Sequence, residues 1–215
     1  KLPQNQVFSC LPGQYIDILL RDGRRRSFSL ANAVNSGDDL ELHVRHVPQG
    51  HFTGQVFEAM KIRDLLRFQG PFGTFFLRED EQRPAILVAG GTGLAPIKAM
   101  LENAFAQHST RPFHLFWGVR SQTDLYFHNQ VTDWAHQHDN LDYTPVLSEP
   151  KEADDWDGET GWVHEAVLRR FLDFTEAEVY ASGPPPMIEV LKTAFSEHGL
   201  APGQLFFDSF EFSTN

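Results

Sequence analysis

The sequence predicts a two-domain protein in which an antiparallel β-barrel is followed by an α/β domain with a parallel sheet. Residues 11–77 hold short alternating or apolar runs separated by glycine, proline and charged turns, a pattern typical of antiparallel strands. From residue 83 onward, apolar runs of strand length alternate with stretches of helical periodicity, which indicates parallel βα units. The 215 residues allow two domains of about 100 residues each. We expect the domains to be residues 1–80 and 81–215.

In the first domain, we expect strands at 15–20, 27–30, 40–47, 65–69 and 74–77. One short helix is predicted at 53–60, because Val56 and Met60 are four residues apart and Thr53 stands where a capping side chain belongs. The turn 47–54 offers backbone amides and the Thr53 hydroxyl to an anion. Capped turns of this kind are common, so the turn alone is weak support for a site.

In the second domain, strands are predicted at 85–90, 113–118, 141–147, 177–182 and 204–208. Helices are predicted at 95–106, 126–138, 163–171 and 185–198. The apolar face expected for the last helix is formed by Met187, Val190, Leu191, Ala194 and Phe195. The ligand of such a sheet binds at the carboxyl ends of its strands. That edge carries residues 90–93, 117–120, 148–149 and 181–184.

The glycine-rich turn at residues 90–93 is the main candidate for a nucleotide site. It follows the apolar strand 85–90 and precedes a helix whose N-terminus can offer unpaired N–H groups to a phosphate. The alternative is a glycine-rich strand-to-helix turn that binds nothing. A Walker loop is excluded because Gly-Lys-Ser/Thr is absent, and Pro96 stands where the ordinary dinucleotide fingerprint has a small residue. The turn at 182–184 resembles the first turn and follows another strand.

A second candidate is the segment Arg26-Ser27-Phe28-Ser29 in the first domain. On a strand, alternation places Arg26 and Phe28 on one surface, and a bend would bring Ser29 near them. These side chains suit a phosphate, a flat ring and a ring nitrogen, respectively. The alternative is an edge strand with solvated arginines and Phe28 in the core.

Composition excludes several other classes of function. The formal net charge of -11 disfavours nucleic acid as a partner. No apolar run approaches a membrane span of about 20 residues. The single cysteine, Cys10, excludes an internal disulfide or a four-cysteine cluster and fits a cytoplasmic protein. The histidines lack metal-ligand spacing, no Gly-x-Ser-x-Gly elbow is present, and the start at Lys1 suggests a fragment.

Taken together, four motifs resemble the ferredoxin–NADP⁺ reductase superfamily. They are Arg26-Ser27-Phe28-Ser29, the turn 50–53, Gly90-Gly91-Thr92-Gly93-Leu94-Ala95-Pro96, and Ser182-Gly183-Pro184. Their order and spacing match over nearly the whole chain. Residues 26–33 and 68–80 look most like bacterial NAD(P)H-flavin reductases and reductases that carry a plant-type [2Fe–2S] domain, including CDP-6-deoxy-glucoseen reductase-like proteins and oxygenase reductase components.

The resemblance implies roles for individual residues. Arg26 would bind the flavin phosphate, Phe28 would pack on the isoalloxazine in place of the family's usual tyrosine, and Ser29 would reach flavin N5. Ser29 and Ser182 are the candidate catalytic residues. The other implied contacts with the flavin are His46, Gly50, His51, Phe52, Thr53 and Phe210. Those with the nicotinamide dinucleotide are Gly91, Thr92, Gly93, Pro96, Arg120, Gly183 and Pro184.

The resemblance also implies hydride transfer from NAD(P)H to flavin, followed by electron release to a [2Fe–2S] ferredoxin domain or protein, or to an oxygenase or dehydratase component. FAD is favoured over FMN. NADH is favoured over NADPH because Asp124 would oppose a phosphate near Arg120. Ser182 replaces the family's cysteine, no cluster-binding cysteines occur, and residues 1–10 are too short to supply all of the first barrel strand, which we expect to be missing or truncated. A reductase of free flavin and a non-catalytic flavin- or nucleotide-binding subunit remain alternatives.

Overall fold

The computed structural model describes residues 1–2, 8–34, 39–78, 82–152 and 155–210. The chain divides into two compact units. Of the described residues, one unit comprises those of Lys1–Phe76 and Ala95–Asn103, and the other comprises those of Leu77–Leu94 and Ala104–Phe212. The boundary predicted between residues 80 and 81 lies outside the described residues, as does much of the N-terminal segment in which the first barrel strand was expected to be incomplete.

The first unit contains a three-stranded antiparallel sheet. Its strands are β1 (Tyr15–Leu19), β2 (Arg25–Ser29) and β3 (Arg67–Phe72), arranged in the order β2-β1-β3. Ile16 and Ile18 of β1 are buried with Leu30 and Phe52 in the core of this unit. The antiparallel architecture predicted for the first domain is therefore confirmed, and in the described residues three strands form the sheet.

Two of the predicted strands in this unit are wrong. Within segment 40–47 the structure shows one isolated bridge, between Leu30 and Leu42. The amide of Glu41, next to this bridge, donates a hydrogen bond to the side-chain oxygen of Asn32 at 2.9 Å. This amide is therefore not available to extend the pairing between strands. Segment 74–77 forms no strand either, and its apolar pattern reflects the burial of Phe75, which is 5% exposed.

The short helix of the first unit begins earlier than the sequence predicts. Helix α1 covers His51–Gly54 and continues as a π-helical turn, Gln55–Ala59. Its N-cap is Gly50, so the prediction of Thr53 as the capping residue is wrong. The Thr53 hydroxyl lies 3.1 Å from the Val47 carbonyl oxygen and 3.2 Å from the Val47 amide, and it therefore fastens the turn before the helix.

The second unit is built on a six-stranded parallel sheet with the order β7-β6-β5-β4-β8-β9. Its strands are β4 (Ala85–Gly90), β5 (Phe113–Val119), β6 (Leu141–Leu147), β7 (Glu159–Thr160), β8 (Glu178–Gly183) and β9 (Leu205–Ser209). The helices are α2 (Leu94–Ala106), α3 (His128–Gln137), α4 (Val163–Arg170) and α5 (Pro185–Ser196). The predicted βα alternation is confirmed, while the two-residue strand β7 was not predicted.

Burial follows the pattern of a parallel sheet covered on both faces. Every residue of β4 is buried, as the uninterrupted apolar run predicts. In helix α5 the predicted face is rotated: Ile188 is buried with Leu191 and Phe195, whereas Val190 is 45% exposed. Two prolines at the start of α5 suit the first turn, where their missing N–H groups have no helical partner.

A buried ion pair fixes the chain at the amino ends of the strands. The Arg111 guanidinium lies 2.8 Å from the Glu178 carboxylate, and both side chains are less than a tenth exposed. The same guanidinium donates to the carbonyl oxygens of Arg83, at 2.7 Å, and Arg78, at 3.1 Å. The Tyr180 hydroxyl donates to Glu178 at 2.6 Å, and burial raises the pKa of this phenol to about 12. The Arg111 side chain thus holds the segment that leads into β4.

Candidate functional site

The glycine turn lies at the carboxyl edge of the parallel sheet, where β4 ends. Residues Gly91–Gly93 form a 3₁₀ turn that leads directly into helix α2. Gly91 has φ +56°, a left-handed conformation that favours glycine. A Cβ on Gly93 would lie 2.0 Å from the carbonyl oxygen of Ser182, and one on Gly90 would lie 2.6 Å from the Met187 sulfur. The turn is therefore pressed against the end of β8, and only glycine fits there.

Side chains at the end of β8 complete this edge. Ser182 is fully buried, and its hydroxyl has no hydrogen-bond partner within the described part of the chain. A Cβ on Gly183 would lie 2.6 Å from the terminal methyl carbon of Met187. Pro184 is the N-cap of α5, and the Gly183 carbonyl accepts the Phe210 amide at 3.0 Å. The structure thus gathers Gly91, Thr92, Gly93, Ser182, Gly183 and Pro184 at one edge, as predicted.

Trp117 was not predicted as a site residue, although it supports the glycine turn. Its indole nitrogen donates to the Gly91 carbonyl at 2.9 Å, and the side chain is fully buried. The ring of Tyr126, which is 47% exposed, packs edge-on against it with centroids 5.2 Å apart. A large aromatic residue at the carboxyl end of the neighbouring strand is the sequence signal that could have identified it.

Arg120 lies just after β5 and is exposed. Its Nε is 3.8 Å from the carboxylate of Glu149, which is also exposed. Asp124, expected to be the opposing charge, instead accepts hydrogen bonds from the amide and hydroxyl of Ser121 at 3.1 and 2.9 Å. The acidic group beside Arg120 is therefore Glu149. Pro96 lies in the first turn of α2, a position that tolerates the missing N–H.

In the first unit, strand β2 carries the candidate flavin residues on two faces. Pairing places Arg26 opposite Ile18 and Phe28 opposite Ile16, so these two side chains share the core side of the sheet. Ser29, the last residue of β2, pairs with Tyr15, and alternation along the strand places its side chain on the other face. The bend expected to bring Ser29 beside Phe28 is absent from β2. Ser29 is 8% exposed.

The environment of Arg26 and Phe28 leaves room for interactions beyond the core. Arg26 is half-buried and donates to the Arg25 carbonyl at 2.8 Å. Phe28 is half-buried against Phe52, with ring centroids 5.3 Å apart. Phe52 itself is 4% exposed, so its side chain belongs to the core and its backbone is the part that could face a ligand.

The turn before α1 is narrow. A Cβ on Gly50 would lie 2.5 Å from the Thr53 hydroxyl and 2.9 Å from the Val47 carbonyl oxygen. His51 is exposed at the start of α1, and the exposed His46 ring packs against Phe57 at a centroid distance of 5.1 Å. Some polar groups of this turn, such as the Thr53 hydroxyl, thus already make hydrogen bonds within the turn.

A buried lysine that the sequence analysis did not single out holds the chain just beyond Ser29. The Lys98 ammonium, 3% exposed, donates to the Ala31 carbonyl at 2.8 Å and contacts the carboxylates of Glu41 and Glu102 at 3.0 and 2.7 Å. His43 lies 2.9 Å from Glu41. Burial lowers the pKa of His43; burial works to raise the pKa of Glu41, but hydrogen bonds from His43 and Lys98 outweigh it and lower that pKa.

Two kinds of feature are absent from the described ranges. Residues 1–2, 8–34, 39–78, 82–152 and 155–210 contain no group of three or more His, Cys, Asp or Glu side chains that could hold a metal ion. Across the same ranges, no helix has the length and apolar character needed to cross a bilayer.

Comparison with known proteins identifies both units. Residues 1–77 match the family model described as the oxidoreductase FAD-binding domain, and residues 87–193 match the oxidoreductase NAD-binding domain. The chain is 42% identical, over 210 residues, to the CDP-6-deoxy-L-threo-D-glycero-4-hexulose-3-dehydrase reductase of Yersinia pestis, covering 98% of this chain and 62% of the relative. It is 34% identical to the anthranilate 1,2-dioxygenase electron transfer component of Acinetobacter baylyi, covering 93% and 58%.

Solved structures agree with this similarity. The Amycolatopsis cytochrome P450 reductase matches with a TM-score of 0.87 and 32% identity, covering 96% of this chain and 62% of that one. A ferredoxin–NADP⁺ reductase of Neisseria gonorrhoeae, with bound FAD and NADP, shares the fold with a TM-score of 0.78 at 17% identity, covering 97% and 89%. The chain spans about three fifths of the length of the curated relatives named above, at 62% and 58%.

Proposed function

Because the chain belongs to the ferredoxin–NADP⁺ reductase superfamily, with an FAD-binding and an NAD-binding domain, we propose that it is the flavin and nicotinamide module of an NAD(P)H-dependent reductase. When bound, the two cofactors supply hydride transfer between the nicotinamide and flavin rings. Electrons then pass to a [2Fe–2S] ferredoxin domain or protein, or to an oxygenase or dehydratase component. The relatives' names support an electron-transfer role of this kind.

The observation that carries the proposal is the contact between the glycine turn and the end of β8. At Gly93 a side chain is excluded by the Ser182 carbonyl, 2.0 Å from the position of a Cβ. The backbone can therefore approach a pyrophosphate closely, and the N-terminus of α2 offers N–H groups to it. The buried hydroxyl of Ser182 supplies a hydrogen-bonding group at the same edge. These features fit a dinucleotide better than a turn that binds nothing.

The residues of β2 fit a flavin in their chemistry. Arg26 offers a guanidinium that can bond a phosphate through two N–H groups. Phe28 offers an aromatic face that is restrained by Phe52. In this proposal, Phe28 orients the flavin ring and the turn at Gly50 contacts the flavin phosphate through its backbone. Ser29 lies on the opposite face of β2 from Phe28, so the pairing of β2 does not support a contact of its hydroxyl with flavin N5.

We propose NADH rather than NADPH as the electron donor. Glu149 stands 3.8 Å from Arg120, and both are exposed. A carboxylate there would repel a 2′-phosphate and would accept hydrogen bonds from ribose hydroxyls. We also propose a cytoplasmic location, supported by the presence of a single cysteine in the chain.

Anaerobic stopped-flow mixing of the flavin-loaded protein with NADH tests the proposal. We expect rapid loss of the visible flavin absorption, and slower loss with NADPH. Release of the flavin and measurement of its mass should give FAD. An unchanged flavin spectrum after mixing with either nucleotide would favour a non-catalytic binding subunit instead. Multiple turnovers with added free flavin as the acceptor would favour a flavin reductase.

A further inference from the structure

The exposed turn between α1 and β3 displays apolar side chains that no core explains. Every residue from 61 to 67 is exposed, with Ile62 at 95% and Leu65 at 97%. The turn is nevertheless ordered by its own hydrogen bonds: the Lys61 amide donates to the Asp64 carboxylate at 2.8 Å, and the Asp64 amide donates to the Lys61 carbonyl at 3.0 Å. Two large apolar side chains are thus held in solvent by a fixed backbone, at a cost in hydration free energy.

Cationic residues occur at the same end of the sheet as these two side chains. The strand register places Leu19 of β1 opposite both Arg25 and Arg67, so the β1–β2 hairpin and the 61–66 turn lie at the same end of the sheet. That end carries Arg21, Arg24, Arg25, Lys61, Arg63 and Arg67. Residues 21–25 and 61–67 contain two carboxylates: Asp22, which pairs with Arg24, and Asp64, which closes the turn. Asp17 of β1 lies 3.8 Å from Arg25, so three carboxylates stand against the six cations. This end is cationic although the chain has a net charge of -11.

The backbone at Arg63 gives an independent sign of function. Arg63 has φ +79°, a left-handed conformation in which glycine is favoured and a side chain is strained. A glycine here would relieve the strain and keep the turn. An arginine at a strained and exposed position contributes nothing evident to the fold, and strain of this kind is typical of functional sites.

We propose that this cationic end, formed by residues 21–25 and 61–67 and named the β1–β3 end, is the docking surface for a separate acidic partner protein. The inference rests on the proposed function, since such a partner is the acceptor of electrons from the flavin. Opposite charge steers the acidic partner to this end, and Ile62 and Leu65 become buried against it. Strand β2 begins at Arg25 in this surface and continues through Arg26 and Phe28, the candidate flavin residues. The docking surface and the candidate flavin residues therefore share one strand of the same unit.

Direct binding measurements with a purified plant-type [2Fe–2S] ferredoxin of net negative charge test the proposal. The protein is used with its flavin bound. We expect Lys61→Glu combined with Arg63→Glu to slow association by at least about tenfold at low salt, with a smaller difference at high salt. Ile62→Ser combined with Leu65→Ser should weaken binding by about tenfold or more through faster dissociation. Leu172→Ser, which alters a 79% exposed residue in the other unit, is the control and should not change binding.

Arg63→Gly separates docking from folding. It should raise the midpoint of thermal unfolding because strain is relieved, and it should weaken ferredoxin binding because a cation is lost. The matched control is His108→Gly, which removes the side chain from another exposed, left-handed position with φ +53°. His108→Gly should stabilise the protein without altering binding.

The outcomes are distinguishable from those that test the proposed function. Reduction of the flavin by NADH, measured alone, decides the proposed function, and the variants at the β1–β3 end should leave its rate and the flavin content unchanged. The docking proposal is overturned if the ferredoxin does not bind, or if it binds equally to the charge-reversal variants. Binding of phosphatidylserine vesicles that is abolished by those variants, without binding of the ferredoxin, would assign the surface to a membrane instead.

Discussion

A methyl group at Gly93 should disable the nucleotide site while leaving the flavin in place. In Gly93→Ala, the added Cβ would lie 2.0 Å from the Ser182 carbonyl oxygen, where ordinary contact begins at 3.4 Å. The Cβ is fixed to the backbone of the turn and the oxygen belongs to the backbone of β8, so the turn and the end of β8 must separate by about 1.4 Å to restore ordinary contact. A displacement of about 1 Å in a positioning element can cost about 100-fold in rate. This corresponds to about 2.7 kcal/mol in activation free energy.

The assay is stopped-flow reduction of the bound flavin by NADH at saturating and subsaturating nucleotide. The matched control is Gly203→Ala in the same unit, where no atom lies within 4 Å of the added Cβ. Gly203→Ala should reduce its flavin at the wild-type rate. The bound flavin content and thermal unfolding of Gly93→Ala, measured in parallel, separate a local displacement from loss of the fold. Wild-type reduction kinetics in Gly93→Ala would refute the assignment of this turn to the nucleotide.

Three further predictions follow from buried polar groups. Arg111→Met should lower the free energy of unfolding in urea by about 3–5 kcal/mol, because it leaves the Glu178 carboxylate buried without its ion-pair partner. Stability should fall as the pH drops below the ordinary histidine value of 6.5: burial lowers the pKa of His43, so the unfolded chain binds the proton first, and His43→Gln should reduce this slope. Ser182→Ala should weaken NADH binding by up to about tenfold in a fluorescence titration, with little change in stability.

For each of these three predictions, one experimental result would contradict the reasoning. Adding Glu178→Gln to Arg111→Met should recover part of the loss, and no recovery would indicate that the uncompensated carboxylate is not the cause. A pH profile of unfolding that is identical for wild type and His43→Gln would contradict the lowered pKa of His43. Tighter or equal binding of NADH to Ser182→Ala would show that this hydroxyl does not meet the nucleotide.

The sequence predicted the second unit better than the first for a physical reason. An all-buried run such as β4 followed by glycine and a helix is a local signal, because strand, turn and helix are adjacent in the chain. Segment 40–47 also had a strand-like pattern, but the side chain of Asn32 occupies the Glu41 amide. Such competition between a side chain and a ladder depends on contacts that periodicity cannot reveal.

In the candidate site too, features with a local sequence signal were predicted and features that depend on distant contacts were not. The glycines of the turn were predicted because their spacing carries the signal, whereas the support from Trp117 required knowledge of which strands are neighbours. The prediction of Thr53 as the helix N-cap is wrong, since the helix starts two residues earlier at His51, while its contact with the flavin phosphate stays a prediction. Ser29 was expected beside Phe28 after a bend, whereas the uninterrupted pairing of β1 with β2 places its side chain on the other face, and its contact with the flavin stays a prediction.

The contacts of the Lys98 ammonium limit how freely the two domains could be exchanged between related proteins. Lys98 lies after β4 in the chain, yet the compact unit that includes the β2 sheet needs it to bond the Ala31 carbonyl and the Glu41 carboxylate. A gene fusion or truncation made near residue 80 would remove the cation and leave these acceptors behind. A chimera that joins the first 80 residues to the second domain of a related reductase would therefore preserve the first unit only if helix α2 of that reductase has a lysine at the matching position. The stretch of sequence that must be inherited together to preserve the first unit therefore extends beyond residue 80 to Lys98.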